Sequence, residues 1–173
     1  MSRYYTIKCS ATALTAANGN VDWVEITPVS NKPVTLWGMK LSQKDLAGDL
    51  EETNVLFSVL RFTTSANSGS GGIASGSMHV NSPVEVEQVI SPGFTCEGFN
   101  PTVATVNTGA LRELDEFYWN MRGSPYEFWY PSREWCPVVK SSELLVVRMN
   151  DTLPSTVTCA ATCCTLIARQ PRL

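Results

Sequence analysis

The sequence predicts an all-β protein, a single-domain antiparallel jelly roll or β-sandwich of about ten short strands. Short segments that are apolar, or that alternate apolar and polar residues, recur along the chain between turn-forming residues. Only 17% of the residues are charged, against about 25% in a typical globular domain, and no segment has the pattern of a long helix. The length of 173 residues suits one domain, so we expect residues 1–173 to fold as a unit.

The first third of the chain contains four predicted strands. The first covers residues 4–14, and its alternation would place on one face Tyr5, Ile7, Cys9, Ala11 and Ala13. Residues 21–27 and 34–41 follow as the second and third strands, each after a turn or a loop. Residues 42–52 are polar and predict a connection. Residues 54–63 are apolar on both faces, which predicts a strand in the centre of a sheet.

The middle of the chain mixes loops and shorter strands. Residues 64–79 are rich in Ser, Gly and Ala, a composition that predicts a flexible loop. Residues 84–90 alternate and predict a half-exposed strand, and residues 102–106 predict a short one. Residues 111–121 are also predicted as a strand, because a helix would scatter the apolar side chains while a strand aligns Asp115, Phe117, Trp119 and Met121.

The C-terminal segments are the most apolar strand candidates. Residues 143–149 form a short apolar run between turn-forming residues, which predicts a strand buried on both faces. Residues 156–167 are small and β-branched and predict a second strand. The turn between them contains Asp151 and Pro154. We expect the two strands to pair as a hairpin in the middle of the fold.

Residues 123–137 combine aromatic residues with proline. Pro125, Pro131 and Pro137 predict an ordered, extended loop rather than a regular element. The aromatic residues of this loop are the candidate contact residues for a partner, and they are Tyr126, Phe128, Trp129, Tyr130 and Trp135. Two other interpretations stay open: the rings could cover one end of the sandwich, or they could stack on sugar rings.

Histidine and cysteine give no recognisable site. The single histidine, His79, would have to be the general base of a Ser–His or Cys–His device, and nothing places a nucleophile beside it. We expect His79 to be an exposed loop residue. Cys159, Cys163 and Cys164 lack the second pair of ligands that a zinc site needs, so we expect buried thiols, with no metal and no cofactor.

The acidic pairs do not predict an enzyme. Carboxylates are close in sequence at Glu51/Glu52, Glu85/Glu87 and Asp115/Glu116. Glycoside hydrolysis needs two carboxylates that face each other across a cleft, which closeness in sequence does not supply. A metal-dependent jelly-roll enzyme would need several histidine ligands. We therefore expect a protein without enzymatic activity.

Charge and hydropathy exclude two classes of partner. The formal net charge of −3 gives no basic surface for a phosphate backbone, so nucleic acid is not an expected partner. No segment approaches the roughly 18 apolar residues of a membrane span, and the N-terminus lacks the apolar core of a signal peptide. We expect a protein made in a cytoplasm and not bound to a membrane.

The order of the segments resembles the small jelly-roll proteins that decorate or cement the heads of tailed bacteriophages. The segments are Tyr4-Tyr5-Thr6, the run from Asn31 through Trp37 to Ser42, Val55 to Phe62, the Gly/Ser-rich loop, Trp119-Asn120, Pro131 to Pro137, and Ser142 to Asn150. The resemblance covers most of the chain in pattern and transfers no catalytic residue. The aromatic loop and the cysteine-rich last strand depart from it.

The resemblance implies a homotrimer on the outer surface of the virion head, made in the cytoplasm of the bacterial host. Its partner would be the major capsid protein, and its role would be to stabilise the shell. Head and tail locations stay open. The alternative is a carbohydrate-binding jelly-roll module of a phage tail, fibre or adhesion component, with a stacking platform formed by Trp129, Tyr130 and Trp135.

Overall fold

The computed structural model describes residues 3–14, 19–29, 32–45, 54–63, 66–73, 79–81, 93–121, 123–153 and 156–167. These residues form thirteen β-strands and no helix, so no membrane-spanning helix is found among them. The predicted all-β class is confirmed.

The strands alternate with turns and short loops throughout the described residues. Their bounds are β1 Arg3–Leu14, β2 Val21–Pro28, β3 Val34–Asp45, β4 Asn54–Thr63, β5 Ala66–Asn67, β6 His79–Asn81, β7 Phe94–Glu97, β8 Thr105–Val106, β9 Ala110–Asn120, β10 Tyr126–Trp129, β11 Val138–Val139, β12 Leu144–Met149 and β13 Val157–Ile167.

The strands build two packed antiparallel sheets. Sheet I has the order β10-β3-β13-β1-β6, with β11 also paired to β3, and sheet II has the order β7-β2-β12-β4-β9. When the short strands β6, β7 and β11 are left out, the other eight strands of the two sheets can be numbered 1 to 8 in chain order: β1, β2, β3, β4, β9, β10, β12 and β13. In these numbers the order of sheet I is 6-3-8-1 and the order of sheet II is 2-7-4-5, which is the strand order of a jelly roll. The predicted jelly roll is confirmed.

Strand β12 lies at the centre of sheet II and is buried on both faces, as predicted. Leu145 and Val147 face sheet I and belong to the main core. Leu144 and Val146 face the other way and form a second cluster with Leu60, Phe62 and Ala104. The outer face of sheet II is covered because residues 66–73 and 98–106 pack across it as a third layer, which we call the outer layer.

The predicted hairpin between the last two strands is wrong. Strand β12 belongs to sheet II, whereas β13 belongs to sheet I and lies between β3 and β1. Each strand is already hydrogen-bonded along both edges, β12 to β2 and β4 and β13 to β3 and β1. No edge is left for the two to pair, so the chain passes from sheet II to sheet I between β12 and β13.

The prediction that residues 123–137 contain no regular element is also wrong, because Tyr126–Trp129 form β10. This strand pairs with Gly38 to Leu41 of β3. Pro125 and Pro131 lie outside the strand, so they remove no N–H donor from its ladder.

Two register details differ from simple alternation. The pairing of β1 with β13 shifts between Cys9 and Thr12, so beyond the shift Leu14 is buried and Ala13 is exposed. A bulge of this kind reverses the face on which the following side chains lie. Strand β3 continues to Asp45, so it includes residues 42–45 that were predicted to be a connection.

In the Gly/Ser-rich segment predicted as a flexible loop, the described residues 66–73 pair with residues 98–106. The backbones of Ser70 and Thr102 exchange two hydrogen bonds of 2.8 and 3.2 Å, and those of Ile73 and Gly98 exchange two of 2.7 and 3.1 Å. His79 belongs to β6 and pairs with Lys8 of β1, so its placement in a loop is wrong.

Some predicted features cannot be compared with the structure. The predicted strand at residues 84–90 lies outside the described residues, as do the acidic pairs Glu51/Glu52 and Glu85/Glu87. In the predicted strand at residues 102–106, Thr105–Val106 form β8, and Thr102 forms a single bridge.

Candidate functional site

The five aromatic candidates divide into two groups by the direction of their side chains. Tyr126, Phe128 and Tyr130 point between the sheets, where Tyr130 is buried and the other two pack against the main core. Trp129 and Trp135 point outward and are 51% and 73% exposed. The same segment therefore contributes three rings to the interior between the sheets and two tryptophans to the exposed surface.

The inward group extends a column of aromatic rings that crosses from sheet I to sheet II. Tyr126 of β10 stacks on Phe117 of β9 with ring centroids 4.3 Å apart and planes 2° apart. Phe117 stacks on Phe57 of β4 at 5.4 Å, and Phe57 meets Trp23 of β2 edge-on at 4.9 Å. Stacked and edge-on rings each contribute about 0.5–1.5 kcal/mol beyond their burial, so the column holds the β10 and β9 edges together.

A hydrogen bond reinforces this closure. The hydroxyl of Tyr130 donates to Oδ2 of Asp115 at 3.1 Å. Burial, followed by the nearby charge of Asp115, raises the pKa of Tyr130 far above its usual value, so the phenol keeps its proton and its role as donor.

Trp129 lies flat on the outer face of sheet I. It is opposite Gly38 across the β10–β3 ladder, and a Cβ atom at position 38 would be 2.6 Å from its Cε3 atom. The indole Nε1 donates to Oε1 of Glu127 at 2.9 Å, and Oε2 of Glu127 is 3.9 Å from Nζ of Lys40. One face of the ring is therefore against the sheet, and its orientation is fixed by the two neighbouring charged side chains.

Trp135 is held on a tight turn. Its backbone N–H donates to the carbonyl of Ser132 at 3.2 Å, and the N–H of Cys136 donates to the carbonyl of Arg133 at 3.3 Å. The hydroxyl of Ser132 donates to Oε2 of Glu134 at 2.6 Å, a bond that lowers the pKa of Glu134. The turn thus satisfies its own polar groups and leaves the indole in solvent.

A buried polar cluster under the outer layer was not predicted from the sequence. The guanidinium of Arg148 donates from Nε and Nη2 to the two carboxylate oxygens of Asp22, and from Nη2 to the carbonyl of Ala104 at 2.8 Å. The N–H of Ala104 donates to Asp22 in return. Burial raises the pKa of Asp22, and the guanidinium offsets part of that rise. The pair fastens the outer layer to sheet II.

Glu25 is a second buried carboxylate under the same layer. It accepts hydrogen bonds from the hydroxyl of Ser68 at 2.6 Å, the N–H of Gly69 at 3.0 Å and the amide of Asn100 at 2.7 Å. All three donors belong to the outer layer. Asp22 and Glu25 therefore both stabilise the packing of this layer on sheet II. A sequence signal existed, since charged residues interrupt two otherwise apolar strands at Asp22, Glu25 and Arg148.

The cysteines whose side chains are described are buried free thiols. Five of them, namely Cys9, Cys96, Cys136, Cys159 and Cys163, are buried. Cys159 and Cys163 share the core face of β13, and the side chain of Cys164 lies outside the described set. Burial raises the pKa of Cys96 and of Cys159 to about 12. Within the described residues no group of His, Cys, Asp or Glu could hold a metal ion.

Comparison with known proteins adds little to the fold. No protein-family model matches the chain, and no curated protein matches it. Among solved structures, it is faintly similar to a chain in the structure of the infectious bursal disease virus Gx strain, with 10% identity and a TM-score of 0.20. That match covers 98% of this chain and 42% of the viral chain. A TM-score this low carries no argument about function. The strand order by itself defines the class of protein, which is an all-β, two-sheet jelly roll.

Proposed function

We propose that the chain is a non-enzymatic structural protein of a tailed bacteriophage, which binds the outer surface of the major capsid protein shell and cements it. The observation that supports this is the turn at residues 131–137, which holds Trp135 in solvent with 73% of its surface exposed. The jelly-roll order of the strands agrees with the fold expected from the sequence resemblance. The proposed location is the virion head, after synthesis in the bacterial cytoplasm.

A rigid turn with an exposed tryptophan suits a protein interface. Tryptophan and arginine are the residue types most enriched among those that dominate binding energy, and Arg133 is two residues from Trp135. Because Ser132, Cys136 and the flanking prolines already fix the turn, little conformational entropy is lost when it binds. One turn cannot supply the roughly 800 Å² that each partner buries in a standard interface, so further surfaces must contribute.

The proposal assigns no reaction to the chain. Its buried carboxylates, Asp22 and Glu25, accept hydrogen bonds from the outer layer, which is a structural use. The five buried thiols lie in the apolar core, where thiolate formation is disfavoured. Proteins that cement a shell act by burying complementary surface, and they need no catalytic group.

The test compares phage particles made with and without the gene for this chain. Particles that lack the protein should release DNA at a lower temperature, and purified protein added back should restore the release temperature. Trp135→Ala protein should fail to restore it, whereas Tyr118→Ala, which removes another exposed aromatic ring from the opposite sheet, should succeed. Circular dichroism of both variants checks that they are folded.

Two outcomes would contradict the proposal. Equal release temperatures with and without the protein would remove the cementing role. Full restoration by Trp135→Ala would remove the turn from the interface.

The proposed homotrimer has its own test. Size-exclusion chromatography with light scattering should give three times the 19.0 kDa of one chain, with and without reductant, because the buried cysteines are not expected to link chains. A monomer under both conditions would contradict a trimer in solution.

A further inference from the structure

The outer face of sheet I carries polar side chains in the rows next to Trp129. Met39, Leu41 and Ala161 are buried on the core side, so the residues that alternate with them point outward. In the outward-facing row next to Gly38 these are Lys40 in β3 and Thr162 in β13, and one row further they are Ser42 and Ala160. The indole therefore lies beside a polar and charged part of this face.

Gly38 has a specific role in placing the ring. Strand β3 is an interior strand between β10 and β13, where glycine weakens a sheet and a β-branched residue would be favoured. Any side chain at position 38 would collide with the indole at Cε3 and with the carbonyl of Phe128. Glycine at position 38 therefore lowers the stability of the sheet but allows the indole to lie against the backbone. Glycine in a strand often marks a place where something must approach closely.

The other face of the indole is open to solvent, and polar groups of both signs lie beside it. A flat aromatic face attracts the C–H groups on the apolar face of a sugar ring. The carboxylate of Glu127 accepts hydrogen bonds from hydroxyl groups, and the ammonium of Lys40 donates them. Since these two charges are paired at 3.9 Å, they favour a neutral ligand over a phosphate or an acidic sugar.

We propose that this surface, formed by Gly38, Lys40, Glu127 and Trp129, binds a neutral polysaccharide, with one sugar ring stacked on the indole. We call it the Trp129 platform. It lies on the sheet face and not on the turn of Trp135, so the proposal goes beyond capsid binding and does not depend on it. A protein partner fits the platform less well, because interface centres are built from several apolar side chains, whereas Trp129 lies beside the charged pair of Glu127 and Lys40.

The test is affinity electrophoresis of the purified protein in native gels that contain hydroxyethyl cellulose, xylan, laminarin, galactomannan or dextran, with heparin as the charged control. At least one neutral polysaccharide should retard the wild-type protein. Trp129→Ala should weaken that retardation at least about tenfold, Trp129→Phe should keep part of it, and Tyr118→Ala should leave it unchanged. Thermal unfolding of each variant separates loss of binding from loss of structure.

Three results would overturn the proposal. The first is wild-type migration that none of the neutral polysaccharides changes. The second is retardation that Trp129→Ala fully keeps. The third is retardation by heparin alone, which would indicate attraction of a polyanion to lysine and arginine side chains. If Trp129→Ala lowers the unfolding temperature and the wild type binds no polysaccharide, Trp129 serves only to cover Gly38.

Discussion

The buried pair of Arg148 and Asp22 allows a stringent test of how the outer layer is held. Replacing Arg148 with methionine should lower the free energy of unfolding by about 3–5 kcal/mol at neutral pH, which is the usual effect of removing one partner from a buried ion pair. Methionine keeps the length of the aliphatic stem, so the change removes charge and hydrogen bonds and leaves only a small cavity.

The magnitude follows from what the substitution leaves behind. Asp22 is completely buried, and without Arg148 its charge keeps only the hydrogen bond from the N–H of Ala104. The carbonyl of Ala104 loses its donor at 2.8 Å, and a buried acceptor without a partner costs about 1–3 kcal/mol by itself. Neutralising the orphaned carboxylate should recover part of the loss, so Asp22→Asn in the Arg148→Met background should be more stable than Arg148→Met alone.

The loss should also depend on pH in a defined direction. Burial already raises the pKa of Asp22, and removing the guanidinium raises it further. A carboxyl whose folded pKa lies above its unfolded value binds protons more strongly in the folded state, so the variant gains stability as pH falls. The difference between wild type and Arg148→Met should therefore be smaller at about pH 4.5 than at about pH 7.5.

The assay is urea unfolding followed by tryptophan fluorescence and circular dichroism at the two pH values. Limited proteolysis of the native variants adds a local measurement, because a loosened outer layer should be cut first between residues 98 and 106. A loss below about 1 kcal/mol, or a loss that does not change with pH, would refute the argument that Arg148 compensates a buried charge.

Three further predictions concern the core and the sheet faces. Gly38→Val should lower stability by about 1–3 kcal/mol through overpacking and shift the tryptophan emission; unchanged emission would mean that the indole does not rest on the glycine. Phe117→Ala should cost about 2–4 kcal/mol in urea unfolding, while its outward neighbour Tyr118→Ala should stay within about 0.5 kcal/mol, and equal losses would contradict the ring column. Cys96 and Cys159, whose pKa values burial raises to about 12, should react with iodoacetamide at mildly alkaline pH only after unfolding. Rapid labelling in the native state, detected by mass spectrometry, would contradict their burial.

The fold class was predictable because strand periodicity is a local property of the sequence. The apolar run at residues 143–149 indicated burial on both faces, and β12 is buried on both. The pairing of strands was not predictable in the same way. A short turn between two apolar strands is typical of a hairpin and also of a crossing between sheets, and only the occupied edges of β12 and β13 decide between them.

The outer layer shows how residues rich in glycine and serine can pack closely against a sheet. Glycine and serine are typical of flexible loops, but here glycine permits close packing. A Cβ atom at Gly69 would overlap with the carboxylate of Glu25, and one at Gly72 would overlap with the backbone of Phe99. The backbone must pass this close for Gly69 to donate to Glu25, so these two glycines allow residues 66–73 to pack onto sheet II.

The aromatic segment yields the most useful rule for reading such a sequence. Its prolines flank β10, so side chains between them alternate between the core and the solvent. This alternation decides which rings can contact a partner. Tyr126 and Phe128 alternate with Glu127 and Trp129, and the ring that shares its face with a charged residue is the exposed one. The position opposite Trp129 in the neighbouring strand is a glycine, which leaves room for the ring to lie flat. An aromatic residue that has both features, an acidic neighbour two positions away and a glycine across the ladder, is a better candidate for ligand contact than the most aromatic stretch as a whole.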